Sequence, residues 1–277
     1  MRLRSLLGLA PIALYLAGLT LAPLISTLWL SLTGPDGRIT LEPFRDIAAR
    51  YQFGEAVVNT LGITAVGLSL ELVLGLAAAL ALVGTRRGRA GVQICLLIPL
   101  GVPTIVAAAI MRSVFSTVGY LNEVLLRLHL IRLPVDWVGE RVLAIATVAL
   151  ADAWKVTPLV LLILLAGLEA VPGELYEAAR TDGASRWRQF TAITLPLLKP
   201  ALTMALIVRG VDAFRIFALP LALVGRGLPV LSTYAYLEYI EYGNPHTAAA
   251  SGVILLLMIL LAVGTYLRLA GPEEVLR

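Results

Sequence analysis

The chain has 277 residues, of which 59% are hydrophobic and 14% charged, with a formal net charge of +4. An average soluble domain carries roughly 25% charged residues, so a mean hydropathy of +0.88 excludes an ordinary water-soluble domain and makes a bilayer the solvent. A pI near 9.4 would suit a nucleic-acid binder, but basic loops that orient a membrane protein account for it, and no nucleic-acid partner is expected.

About 20 mostly apolar residues cross the roughly 30 Å of bilayer hydrocarbon as a helix. Six runs are long enough, near 8–32, 57–83, 91–118, 142–168, 200–224 and 247–270. The expected fold is all-α, a polytopic membrane protein of six transmembrane helices forming a single domain over 1–277. The first run follows Met1-Arg-Leu-Arg4 as a signal peptide would. It is longer than an h-region of about 7–15 residues, and no small-residue cleavage site closes it, so it reads as the first span. In the second run, Gly75 and Ala77-Ala-Ala79 allow close approach of helix backbones. Thr85-Arg-Arg-Gly-Arg89 then supplies three arginines in a short loop, which places that loop in the cytoplasm. With six spans both termini fall on the same side, in agreement with Arg2, Arg4, Arg268 and Arg277. Pro99 and Pro103 in the third run, and Pro158 in the fourth, are expected to bend or break helices, through ordinary packing or to shape a path. The loops at 33–56, 119–141 and 225–246 fall outside, with Tyr120, Trp137, Tyr239 and Tyr242 near the membrane borders. Tyr234 and Tyr236 join these as interfacial rings or contacts for a solute or a docked protein. Cys95 is the one cysteine, and His129 and His246 stand apart from each other, so no metal site is expected.

Between the fourth and fifth runs a polar stretch, 169–199, reads as two short helices. Val171-Pro-Gly-Glu174 starts the first, with Glu174 where the helix dipole favours an anion. Ala178 and Ala179 give it a low profile, and Glu177 and Arg180, spaced i,i+3, can pair with each other or with a partner. Gly183 tolerates the positive φ of a sharp turn, and Ser185 can cap the second helix. Trp187, Phe190 and Ile193 form an apolar stripe, and Pro196 and Pro200 bracket the return to the bilayer. Alone, this pattern also fits an amphipathic helix lying on the membrane.

Glu177, Ala178, Ala179, Gly183, Ile193, Leu195 and Pro196 occupy the fixed positions of the EAA loop of ABC importer permeases, which the chain resembles from its second span onward. Ala166-Gly-Leu-Glu-Ala-Val-Pro172, Asp182-Gly-Ala184 and Asn59-Thr-Leu61 are similar to carbohydrate-uptake members of that family. The resemblance implies a type I importer permease in the cytoplasmic (inner) membrane of a prokaryote, with 169–199 as a cytoplasmic coupling elbow. It implies a non-catalytic subunit that binds no cofactor itself, ATP and Mg being held by a dimer of cytoplasmic ATPase subunits. Glu177 would make polar contact in a groove of the ATPase while Ala178 and Ala179 allow close seating and Gly183 sets the angle between the helices. Asp182, Ile193, Leu195 and Pro196 complete the coupling surface. A sister permease, an extracytoplasmic solute-binding protein and lipid are the other implied partners. The implied solute is a sugar or related polyol, with a glycerol phosphate as the alternative. Phe214-Arg-Ile-Phe217, Gly225-Arg-Gly227 and Leu231-Ser-Thr-Tyr-Ala-Tyr236 resemble one of two paired permease types, although Ile216-Phe217-Ala218 stands where that type commonly has an aspartate.

Charges also fall within the spans: Glu71, Asp152 with Lys155, and Arg209, Asp212 and Arg215. Each costs about 2.5–3.5 kcal/mol on insertion scales, so each should face the bundle or a wet cavity. Arg209, Asp212 and Arg215, spaced by three, can share one helix side, and so can Asp152 and Lys155. They are either internal pairs that fix helix rotation or the lining of a translocation path. No Gly-rich GxxxxGK run accompanies Lys155 or Lys199, which excludes an ATP site of that kind in this chain. A secondary transporter would explain the spans but not the elbow. An intramembrane enzyme would need a catalytic pair at membrane depth that these residues do not supply.

Overall fold

A computed structural model describes residues 11–12, 14–85 and 88–270. Arg2, Arg4, Arg86, Arg87 and Arg277, which carry much of the expected charge asymmetry, lie outside the described residues, as does the start of the first run. The described chain is helical, apart from turns and one isolated antiparallel bridge between Thr33 and Ile39. Its helices are α1 (Leu14–Ser31), α2 (Glu42–Ala48), α3 (Tyr51–Val83), α4 (Arg89–Gly101), α5 (Thr104–Phe115), α6 (Tyr120–Arg127), α7 (Arg141–Glu169), α8 (Gly173–Thr181), α9 (Arg186–Phe214), α10 (Ala218–Leu223), α11 (Leu231–Ile240) and α12 (Pro245–Ala270). Six apolar stretches among the described residues are long enough to cross a membrane, in agreement with the sequence.

Two boundaries differ from expectation, and a proline lies at each. The third run is not one helix: α4 ends at Gly101, Val102 is extended with ψ of 127°, and Pro103 caps the start of α5. A proline ring disfavours the helical region for the residue before it, which is why the break falls at Val102. The fifth span begins near Arg186 rather than near 200, so the second elbow helix and the span are one continuous rod. Pro196 has no N–H to give the carbonyl four residues back. A π-turn over Phe190–Thr194, in which the Leu195 N–H donates to the Phe190 carbonyl, takes up the irregularity just before it. Pro158 lies inside an unbroken α7.

The chain divides into two compact units. One comprises the described part of Met1–Val57 with Pro229–Met258, and the other Val58–Leu228 with the described part of Ile259–Arg277. The first is centred on Ile47, Phe53, Ala56, Leu231, Tyr234 and Ala250. The second has its apolar centre where α3, α7 and α9 meet, around Ala79, Leu82, Val160, Leu161, Leu164, Leu198 and Ala205. Small residues let these helices touch. A Cβ on Gly75 would lie 2.7 Å from Val160 Cγ1, and one on Gly167 would lie 2.6 Å from Ala201 Cβ. In the absence of a hydrophobic drive between helices in lipid, such close backbone packing is what holds them together.

Candidate functional site

The polar elbow is built by two local devices. Helix α8 ends in a Schellman turn: Gly183 takes φ of +76°, the Ala184 N–H donates to Ala179 O at 2.9 Å, and the Gly183 N–H donates to Arg180 O at 3.1 Å. Two residues later the Ser185 hydroxyl accepts from the Arg188 N–H at 3.3 Å and caps α9. The Tyr176 and Thr194 hydroxyls, 2.9 Å apart, tie α8 to α9. Between the helices lies an open groove of about 570 Å³ lined by Ala179, Asp182, Gly183, Ala184, Ser185, Arg188, Gln189, Ala192 and Ile193.

Glu177, Ala178, Asp182, Gly183, Leu195 and Pro196 are exposed, while Ala179 and Ile193 are half-buried on the groove wall. The possible Glu177–Arg180 pair does not form. Arg180 Nε donates instead to the Tyr176 carbonyl at 3.2 Å, and no described side chain bonds the Glu177 carboxylate. Trp187 is 73% exposed and packs on Phe190 with ring centroids 5.8 Å apart. The elbow therefore presents a free carboxylate, a flat alanine surface and an aromatic side chain to whatever covers it.

A charge cluster lies in the interior of the same unit. Arg209 on α9 donates through Nε to Glu71 Oε2 at 2.8 Å and through Nη2 to Glu71 Oε1 at 3.0 Å, a bidentate pair with α3. The same Nη2 reaches Asp152 Oδ2 on α7 at 3.0 Å. Glu71 is fully buried, and the Arg209 and Asp152 side chains are 5% and 12% exposed. One guanidinium thus pins three spans at membrane depth.

Sequence spacing placed these residues in three separate groups and missed that they meet. Asp212 takes part weakly, accepting from Arg209 Nη1 at 3.5 Å with its own side chain 55% exposed. Arg215 does not join: α9 ends at Phe214, so the helical register that would align Arg215 with Arg209 stops one residue short, and Arg215 is exposed. Lys155 is half-buried one turn from Asp152, with no ion pair to a described residue.

Three further polar links were not foreseen. Arg141 Nε donates to Asn59 Oδ1 at 2.8 Å, which gives the Asn59-Thr-Leu61 segment a structural role joining α3 to α7. Arg89 pairs with Glu169, so the loop entering α4 and the elbow leaving α7 share one side of this unit. In the other unit the buried Glu238 accepts from Arg50 and, at 2.8 Å, from the Thr247 hydroxyl. Burial and the Glu238 carboxylate push the Tyr234 phenol above its usual value. Tyr234 is 4% exposed and packs edge-on against Phe53, so it is a core residue and not a contact for solute. Tyr236, Tyr239 and Tyr242 are exposed. A ring nitrogen of His246 lies 3.0 Å from the Leu30 carbonyl.

Residues 71–270 match the family described as binding-protein-dependent transport system inner membrane component. The chain belongs to this family. The match takes in the elbow, all three partners of the buried cluster and the last four spans. This permease is 37% identical over 257 residues to the trehalose/maltose transport system permease protein MalF of Thermococcus litoralis, covering 89% of this chain and 86% of that protein. It is 38% identical to the trehalose transport system permease protein SugA of Mycobacterium tuberculosis over 75% of this chain and 68% of the relative. The sulfoquinovosyl glycerol transport system permease protein SmoG of Agrobacterium fabrum is 31% identical over 99% of this chain and 92% of its own. Among solved structures, a chain of a bacterial ABC transporter that imports the acidic polysaccharide alginate superposes with a TM-score of 0.81, covering 99% of this permease and 96% of that chain at 21% identity. The permease is thus a multi-pass inner-membrane transport subunit.

Proposed function

We propose that this permease carries sugars across the inner membrane as one half of the heterodimeric permease pair of an ABC importer and is driven through its elbow by a separate ATPase. The sugar class rests on the relatives, whose names cite trehalose, maltose, sulfoquinovosyl glycerol and xylose or arabinose. An extracytoplasmic binding protein as partner is supported by a structural neighbour described in complex with an alginate pentasaccharide-bound periplasmic protein. The observation that carries the coupling role is the elbow itself, where a Schellman turn and a serine cap fix two helices around an open groove.

In this reading Mg and ATP sit on the partner ATPase dimer. Glu177 and Asp182 supply polar contacts to it, Ala178 and Ala179 permit close seating, Gly183 fixes the bend, and Ile193, Leu195 and Pro196 continue the surface into the span. The elbow and the arginine loop then lie in the cytoplasm with both termini. Because α9 runs unbroken from the elbow into the membrane, displacement of the elbow moves the fifth span as a unit. The Arg209 cluster holds the second and fourth spans to it. Asp212 and Arg215, both exposed, are the members of that set placed to meet a hydroxylated solute.

The test is reconstitution with the sister permease, ATPase and binding protein in liposomes. Uptake of a radiolabelled disaccharide should require ATP, and Ala178→Trp should abolish uptake while the four proteins still co-purify from detergent with reduced ATPase stimulation. Transport by this chain alone under an ion gradient would overturn the reading.

A further inference from the structure

Helix α8 has little to hold it in place. Of its nine residues, Gly173–Thr181, only Tyr176 and Ala179 are not exposed, so the helix has no apolar seat. The Arg180 Nε donates to the Tyr176 carbonyl and the Thr181 hydroxyl to the Glu177 carbonyl, bonds that serve α8 itself and do not join it to α9. The chain passes from α8 to α9 through Asp182–Ser185, where Gly183 holds φ of +76°. Close to that turn the Gln189 side-chain amide donates to the Ala184 carbonyl at 2.8 Å. A few residues between two elements are where a hinge bends, so a bond distant from the turn is needed to make the two helices one body.

The Tyr176–Thr194 hydroxyl pair is that bond. Tyr176 lies five residues before the end of α8 and Thr194 eight residues after the start of α9, about 8 Å and about 12 Å along the two helices. The turn and the hydroxyl pair therefore close a triangle. Thr194 is 5% exposed, and its hydroxyl also lies 3.5 Å from the Gln189 carbonyl. It is the last residue of the π-turn, so α8 is fastened to α9 where the regular helix that carries Arg209 begins. We propose that the Tyr176 hydroxyl is the positioning group that makes α8 and the fifth span move together, which rests on the elbow being the contact for the ATPase. Force applied to α8 then enters the span at Thr194 and does not dissipate in the turn. Because Thr194 is shielded from water, its hydroxyl has no solvent to turn to when the pair is broken.

The test measures solute taken up per ATP hydrolysed by the complete importer in liposomes, a ratio that does not depend on how much of the complex folds. Tyr176→Phe keeps the ring and removes the hydroxyl, and it should lower the ratio several-fold while hydrolysis continues. Thr194→Val should lower it by the same factor, and Thr194→Ser, which keeps the hydroxyl, should hold the native ratio. The double variant Y176F/T194V should fall no further than either single one, and additive losses would mean that the two hydroxyls act separately and would overturn the proposal. An unchanged ratio in Tyr176→Phe and Thr194→Val, with Ala178→Trp still inactive, would overturn it and leave the elbow as the ATPase contact. Uptake and hydrolysis falling together at an unchanged ratio, with a lowered unfolding midpoint, would make the pair a purely structural bond and overturn it equally. If Ala178→Trp transports normally, the elbow is not the contact and the proposal falls with it. Should Tyr176→Phe fail to assemble, Thr194→Val gives the same readout from the other side of the bond.

Discussion

Removing the Arg209 guanidinium should be the most damaging single change among the buried charges, and its size follows from what it leaves behind. Arg209 makes two bonds to Glu71, which is fully buried, and one to Asp152, whose side chain is 12% exposed. Breaking a buried pair from one side costs about 3–5 kcal/mol because the surviving charge has neither water nor a partner. Arg209→Leu strands two carboxylates, so its cost lies at or above the top of that range. Asp212→Asn removes only a 3.5 Å contact from a side chain that is 55% exposed, and such pairs contribute about 0–1 kcal/mol. Thermal unfolding of the detergent-purified importer, followed by tryptophan fluorescence, should rank native and Asp212→Asn together with Arg209→Leu far below. The triple variant R209M/E71L/D152L, which replaces the group by apolar side chains of similar size, should recover most of the loss. If Arg209→Leu lowers the midpoint no more than Asp212→Asn does, the three-helix clamp is not structural.

Three other outcomes follow from the packing and the turns. Gly75→Val and Gly167→Val should each destabilise by about 1–3 kcal/mol through overpacking, whereas Gly67→Ala, whose nearest neighbour would lie 3.8 Å away, should unfold with the native midpoint. Gly183→Ala meets no atom within 4 Å but must keep φ of +76°; the left-handed backbone costs about 1–2 kcal/mol, which should show as reduced ATP-driven uptake with normal membrane insertion. Asn122→Leu leaves the Trp137 indole N–H and the Val135 N–H without their acceptor. At about 1–3 kcal/mol for each buried unmet donor, loss of the near-ultraviolet tryptophan signal should precede global unfolding.

The spans were legible because a run of apolar residues has few other solutions in lipid, and the elbow because its alanines, glycine and Leu195-Pro196 sit at fixed spacing. Which charges meet was not legible. Glu71, Asp152 and Arg209 lie on three helices, and their partnership depends on helix rotation and crossing, which Gly75 and Gly167 set through contacts far apart in sequence. Arg215 shows the reverse error: a three-residue spacing implies a shared face only while the helix lasts, and α9 ends at Phe214. The third run misled for a similar reason, since its composition is continuous while its backbone breaks at Val102. Tyr234 read as a border aromatic because the core it enters, around Phe53 and Ala250, is assembled from distant segments.

The π-turn at Phe190–Thr194 has a consequence for the geometry of the fifth span. A turn that holds one extra residue shifts the phase of everything after it by about 100° relative to an unbroken α-helix. The angle between the side of the rod that carries Trp187 and the side that carries Arg209 is therefore changed by that single irregularity. Deleting one residue within 190–194 would leave a smoother helix with the same two faces, whereas inserting one elsewhere between Trp187 and Arg209 would swing the guanidinium out of reach of Glu71. The irregular turn works as a timing mark, setting the azimuth at which Arg209 meets the buried carboxylates relative to the side of the rod that carries the elbow.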